Sequence, residues 1–269
     1  MRTLIKIGFG LLLLAFVLIG LTYSMLRAQG ISGPSNREGR TITSDTRTLG
    51  PGVRTVSLNG PIDMTLRQGP VGSLVVRGEK RLIDHVVTTQ DDGELRITIK
   101  GMLMHHRTPL QLVLVLPSIE GVQVKGSGDS TVNGFSGEHL DVQLRGSGSV
   151  KVNGRFKDVT AEMTGSGDLD VSAGNCDQLN GQLRGSGKLT VVGACTTLDA
   201  NLTGSGDLDA RHLTVQQATV KLQGSGTAVL QAVESVDVTL RGNGDVIVHG
   251  KPAERNVSRT GSGEVVFKE

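Results

Sequence analysis

The sequence predicts an all-β fold whose larger part is a parallel β-solenoid with 19–20 residues per turn. Two observations carry this. A Gly-x-Gly triplet recurs eight times, at Gly126 and Gly128, Gly146 and Gly148, Gly165 and Gly167, Gly185 and Gly187, Gly204 and Gly206, Gly224 and Gly226, Gly242 and Gly244, and Gly261 and Gly263. The intervals between first glycines are 20, 19, 20, 19, 20, 18 and 19 residues, and the repeated stretch TGSGDLD at 164–170 and 203–209 is two rungs of this ladder. Aligned on the first glycine, the chain also shows apolar columns. Two residues before it stand Val124, Leu144, Met163, Leu183, Leu202, Leu222 and Leu240. Six after it stand Val132, Val152, Val171, Val191, Ala210, Leu230, Val248 and Phe267. Apolar residues at every second place mean strands with one buried face. Columns that recur once per turn mean that each strand lies over its counterpart.

The elements follow in chain order. Arg2 and Lys6 precede Ile7–Leu26, twenty residues without a charge. Twenty residues at helical rise cover about 30 Å, the thickness of a bilayer core. The flanking bases place the N-terminus in the cytoplasm and the rest beyond the membrane. Residues 1–28 therefore read as a signal anchor or a signal peptide, with the bulky Leu26 disfavouring cleavage after Ala28. Residues 29–40, rich in Gly, Ser and polar side chains, form a tether. Residues 41–120 carry short alternating runs such as VRTVSLNG and LQLVLVLP, which predict a β-rich part capping the solenoid. Residues 121–269 supply about eight stacked turns. In the last of them Arg255 and Arg259 take inward positions, and they are expected to bend toward solvent and block end-to-end stacking.

The glycines fall on the inward phase where the chain must bend around a thin core, so they read as structural corners. A phosphate-cradling loop does not fit: the third glycine of a dinucleotide motif, the lysine of a P-loop and a following helix are all missing. No nucleotide or other cofactor is expected. The 28 Lys and Arg against 26 Asp and Glu show no clustered basic surplus, which argues against nucleic acid. With no Trp and one Tyr, the aromatic platforms of sugar-binding grooves are missing too.

Candidate chemistry is sparse. Asp168, Asp170, Asp207 and Asp209 lie near one another in outward columns and suggest a calcium site. Lys188 in their midst favours a solvated face whose repulsion is relieved. His105 and His106 share a turn without a matching ligand set, and His85, His139, His212 and His249 are scattered. No metal site or catalytic residue is assigned. Cys176 and Cys195, the only cysteines, each stand nine residues before a corner glycine. Adjacent turns then place their Cα atoms about 5 Å apart, within disulfide range. A bridge and a pair of buried thiols both fit, because Phe156, Val215 and Val233 fill the same column.

The run LVLVLPSIEGVQVKGSGD followed by LRGSGSVKV and LTGSGDLDA resembles the GIN domain, the head domain assigned to auto-transporter adhesins of Gram-negative bacteria. The resemblance covers residues 45–269 and implies a right-handed β-helix outside the cytoplasm, with no established activity and no site residues to carry over. An auto-transporter also needs a translocating barrel, and none precedes Glu269. The expected function is a membrane-anchored extracytoplasmic solenoid serving as an adhesin-like or envelope structural module. It would sit in the inner membrane facing the periplasm, or be exported if the N-terminal segment is cleaved. Its partner would be an envelope protein or a surface ligand. The rival is a carbohydrate-active β-helix enzyme acting on acidic polysaccharide.

Overall fold

The computed structural model describes residues 41–101 and 109–268, so the apolar segment 7–26, the tether and the His105–His106 pair lie outside the described residues. Strand makes up 77% of the structure, and the solenoid has about seven turns. Eight were expected from eight corners, but a turn is the interval between corners, and eight corners bound seven.

The first half is less regular than the second. Strands β1 (Ile42–Thr48), β2 (Thr55–Asn59), β3 (Ile62–Gln68) and β4 (Ser73–Glu79) lead into a single helical turn, α1 (Lys80–Ile83). Strands β5 (Val86–Asp91), β6 (Glu94–Ile99) and β7 (Leu110–Leu116) follow. β2 and β3 are themselves a turn of the stack. β2 pairs in parallel with β6 on one side and with β8 (Gly121–Gly126) on the other. β3 likewise lies between β7 and β9 (Asp129–Gly146). Chain order and stacking order therefore differ. The chain lays β2–β3, drops below it to form β6–β7, then passes over it to begin β8. Residues Pro117–Glu120 carry this crossing: Gln68 Nε2 donates to Pro117 O at 3.0 Å, and Ile119 is buried. Antiparallel β5 closes the edge of β6, and antiparallel β4 and β1 close that of β7. An open edge of strand backbone would otherwise pair with another chain.

From β9 the turns are regular. β10 (Ser149–Gly165), β11 (Asp168–Gly185), β12 (Lys188–Gly204), β13 (Asp207–Gly224) and β14 (Thr227–Gly242) each run from one glycine corner to the next. All stack in parallel, with corner glycine over corner glycine. β15 (Asp245–His249), β16 (Glu254–Thr260) and β17 (Val265–Lys268) complete the top. The core is the set of aligned Leu, Val and Ala columns, for instance Leu144, Met163, Leu183 and Leu202, all at most 3% exposed.

Ser130 interrupts this core. It stands in the inward column shared with Val150 and Leu169, is 1% exposed, and its hydroxyl has no partner. Removing a buried, unpaired hydroxyl recovers its desolvation cost. Ser130→Ala is therefore expected to raise stability by about 1 kcal/mol, read as a higher denaturant midpoint at unchanged slope.

At the C-terminal end Arg255 and Arg259 sit above Val236 and Leu240 and are exposed, as expected, but each is also tied to the chain. The Arg255 guanidinium lies 4.7 Å from the centre of the Phe267 ring and donates to Pro252 O; Arg259 donates to Gly263 O at 3.0 Å. With no further turn above, a cation over an aromatic face covers apolar surface while keeping its charge hydrated.

Candidate functional site: the strand face before the corners

Each corner joins two strand segments, one before it and one after it. The corners themselves are structural. The first glycine of each triplet has a positive φ, from +119° at Gly261 to +151° at Gly126, and an added Cβ would fall within 3.0 Å of the carbonyl of the glycine one turn below. That carbonyl accepts the backbone N–H of the residue between the glycines, as in Ser186 N to Gly165 O at 3.0 Å. Gly60, with φ +134° and stacked under Gly126, is an unrecognised member of the same ladder. Its triplet is broken because Ile62 stands where the second glycine would be. The alternation Val56, Leu58, Gly60, Ile62, Met64, Leu66 is the signal that could have found it.

Of the four acids weighed as a calcium site on the face after the corners, Asp170, Asp207 and Asp209 have partners within the chain. Asp63, Asp207 and Asp245 each accept the backbone N–H of the residue one layer above, at 3.1, 2.9 and 3.0 Å. Lys188 pairs with Asp209 at 3.4 Å, and Arg211 with the same carboxylate at 2.7 Å; Lys151 reaches Asp170 at 3.9 Å. Partial burial pushes the Asp209 carboxyl up, but the hydrogen bond and charge of Arg211 and the nearby Lys188 outweigh it and hold it below the usual carboxylate value. Among the described residues, no group of three or more His, Cys, Asp or Glu is placed to hold a metal, and His85, His139, His212 and His249 belong to no such group.

Cys176 and Cys195 face each other on adjacent strands, Cα to Cα 4.5 Å, and are paired as a disulfide. Their column runs Gly137, Phe156, then the two cysteines, Val215 and Ala232. Val233, expected there, is 44% exposed. The turn from Gly224 to Gly242 is shortened to 18 residues, so the register slips and Ala232 takes the inward place. Closing a loop of about this size stabilises by roughly 3 kcal/mol in the chain-entropy model. Protein purified and denatured without reductant should show no free thiol, and reduction should lower its unfolding midpoint. Two titratable thiols would mean that the column is packing alone.

Among the described residues, the face before the corners is an extended surface with a consistent chemistry. Its outward residues form three columns, ten strands deep from β6 to β16. The column beside the corner holds Lys125, Arg145, Arg184 and Arg241 and no acid. Four residues away, the far column holds Glu94, Asp141, Asp199 and Asp237 and no base. Between them runs a mostly amide and hydroxyl column, including Gln123, Gln143, Gln182 and Asn201. Two of the acids are held by these amides, Asp141 by Gln143 and Asp199 by Asn201, while Asn256 holds Asp237. A shallow groove of about 320 Å³ lies toward its upper end, lined by Asn201, Thr203, Lys221, Gln223, Thr239 and Arg241 among others. Sequence reading passed over these columns because the outward positions it followed were those after the corners.

Comparison with known proteins agrees with this architecture. The structure superposes on a crystal structure described as a "putative adhesin" from Parabacteroides distasonis with TM-score 0.79 and 21% identity, covering 86% of this chain and 98% of that one. A second, described in the same words, from Parabacteroides merdae, gives TM-score 0.78 at 19% identity over 85% and 96%. A "putative lipid binding protein" from Parabacteroides distasonis gives 0.75 at 21% identity over 84% and 97%. Likeness at this identity establishes the shared fold. Comparison with curated proteins found no match. The family model described as "Putative auto-transporter adhesin, head GIN domain" matches residues 53–180 and 153–252, and the chain belongs to that family.

Proposed function

We propose that the chain is a non-catalytic, adhesin-like interaction module that works outside the cytoplasm and is held at the membrane by residues 7–26. The observation that carries the reading is the face before the corners. It is long and polar, and its charges are sorted into opposite edges rather than converging in a cleft. Binding modules need such a surface; general acid–base chemistry needs groups brought within reach of one bond. The adhesin-head description of the family supports the same class. The carbohydrate-active alternative draws no support from the geometry: Asp207 accepts a backbone N–H, and Asp170 and Asp209 pair with Lys151, Lys188 and Arg211. Among the described residues, no helix is long and apolar enough to cross a membrane, so anchoring rests on the 7–26 sequence.

Fractionation tests the reading. The full chain should be recovered with the inner membrane, resist extraction by salt, and expose its solenoid to protease only after the outer membrane is opened. Recovery in the cytoplasm would contradict it. Calcium-dependent cleavage of pectate or alginate, lost in Asp168→Ala, would replace the module by an enzyme.

A further inference from the structure

We propose that two copies of this chain pair side by side, parallel and in register, through their faces before the corners. This rests on reading that face as the working surface, and it names a second copy as the partner.

The argument begins with charges left over. On the face after the corners, bases and acids meet within the chain, as Lys151–Asp170, Lys188–Asp209 and Arg211–Asp209. On the face before the corners they do not. Among the described residues, no acid pairs with Lys125, Arg145, Arg184 or Arg241, and all four are exposed. Lys125 and Arg145 even stand side by side in register, a like-charge pair that costs the single chain. Across the face, Asp141, Asp199 and Asp237 have amides but no cation, and Asp141 Oδ1 lacks any partner.

Geometry then selects one arrangement. When two such faces meet about a two-fold axis along the solenoid, left and right edges exchange while the layers stay level. The basic edge of each copy then covers the acidic edge of the other. Arg145 meets Asp141 of the second copy, and Arg241 meets its Asp237, each pair at one level because both residues belong to one strand. A two-fold axis along the strands would instead set basic edge on basic edge. The central column comes to lie on the axis, where Gln143 and Gln182 meet their own copies, and amides both donate and accept. Arg96, Glu162 and Lys221 would meet themselves there too. Arg96 is already bonded to Glu94 at 2.8 Å. Glu162 has the second copy's Arg145 and Arg184 one layer either side, and Lys221 has its Asp199 and Asp237.

Size and polarity are consistent with a membrane-held pair. Ten strands at about 4.8 Å, by four residues at about 3.3 Å, give roughly 600 Å² per copy. That is near the lower limit for a specific interface, so affinity in solution is weak. A parallel pair brings both N-terminal ends to the same side, so two 40-residue leaders reach one membrane, which raises the effective concentration.

The test uses the full chain in intact cells and a thiol cross-linker of about 10 Å reach, the spacing of packed sheets. The native cysteines are paired and do not react. Gln143→Cys and Thr239→Cys, on the axis five layers apart, should each give a self-linked dimer, and Arg145→Cys should not. Arg145→Asp with Arg241→Asp should cut the linked fraction at least about tenfold, and adding Asp141→Arg with Asp237→Arg should restore it. Linking at only one central position would mean an antiparallel pair and overturn the proposal. So would linking from Arg145→Cys as efficient as from Gln143→Cys. Products containing only other proteins would overturn the pairing while leaving the face as a working surface; no product from either central position would remove both.

Discussion

Gly185→Val is expected to abolish the folded state of the turns around it. Gly185 has φ +131°, where an L side chain is strained, and its Cβ would collide with Gly165 O below; the clashing atom is backbone and cannot swing aside. Stacked turns have no freedom to yield separately, because Ser186 N already bonds that carbonyl at 3.0 Å and the flanking strands are in register. Strain and lost ladder bonds together should cost at least about 4 kcal/mol, in the range reserved for disrupted backbone. The neighbouring Ser186→Val probes the same loop at an exposed position and should change stability by less than about 1 kcal/mol. Chemical denaturation of the pair reads both. A Gly185→Val protein as stable as the native one would remove the structural account of the corners.

Phe156→Ala is expected to be the most damaging truncation in the regular turns, at about 3–5 kcal/mol. Phe156 is 2% exposed at the second bend of its turn, where the chain passes Gly154 and Gly137. A Cβ at Gly154 would strike Cε2 of the ring at 2.5 Å, and one at Gly137 would press on Cε1 at 3.3 Å. The glycines make room for the ring, so nothing nearby can fill the space it leaves. In a solenoid the loss is felt by the neighbouring turns, since each is stabilised mainly by those above and below. Hydrogen exchange should show protection falling first in β9 and β10, with β13 and β14 least affected. A uniform loss across the chain would mean that the turns unfold as one body.

The regular half of the fold was legible because its causes are local and repeated. An inward glycine every 19 or 20 residues and period-two apolar columns admit few other solutions. The N-terminal half resisted for a physical reason. β2 and β3 pair with strands on both sides that come later in the chain, and no local pattern reveals that the chain skips a layer at Pro117–Glu120. Gly60 was hidden because Ile62 breaks its triplet. The slip from Val233 to Ala232 was hidden because a fixed offset assumes that every turn spends the same number of residues at its bend. The acids after the corners were visible as a column, but not as acceptors of backbone N–H groups, which depends on the layer above. The sorted charges before the corners were present in the alignment all along, and they acquire meaning only once the outward phase is known to form one surface.

The central claim is that the face before the corners is where this protein meets its partners. A photo-activatable cross-linking residue placed at Gln182 on that face, and separately at Thr190 on the face after the corners, compares the two at nearly the same level of the stack. Irradiation of intact cells expressing the full chain should give discrete cross-linked products from position 182 and none from position 190. Products from position 190 alone, or none from either, would contradict the account.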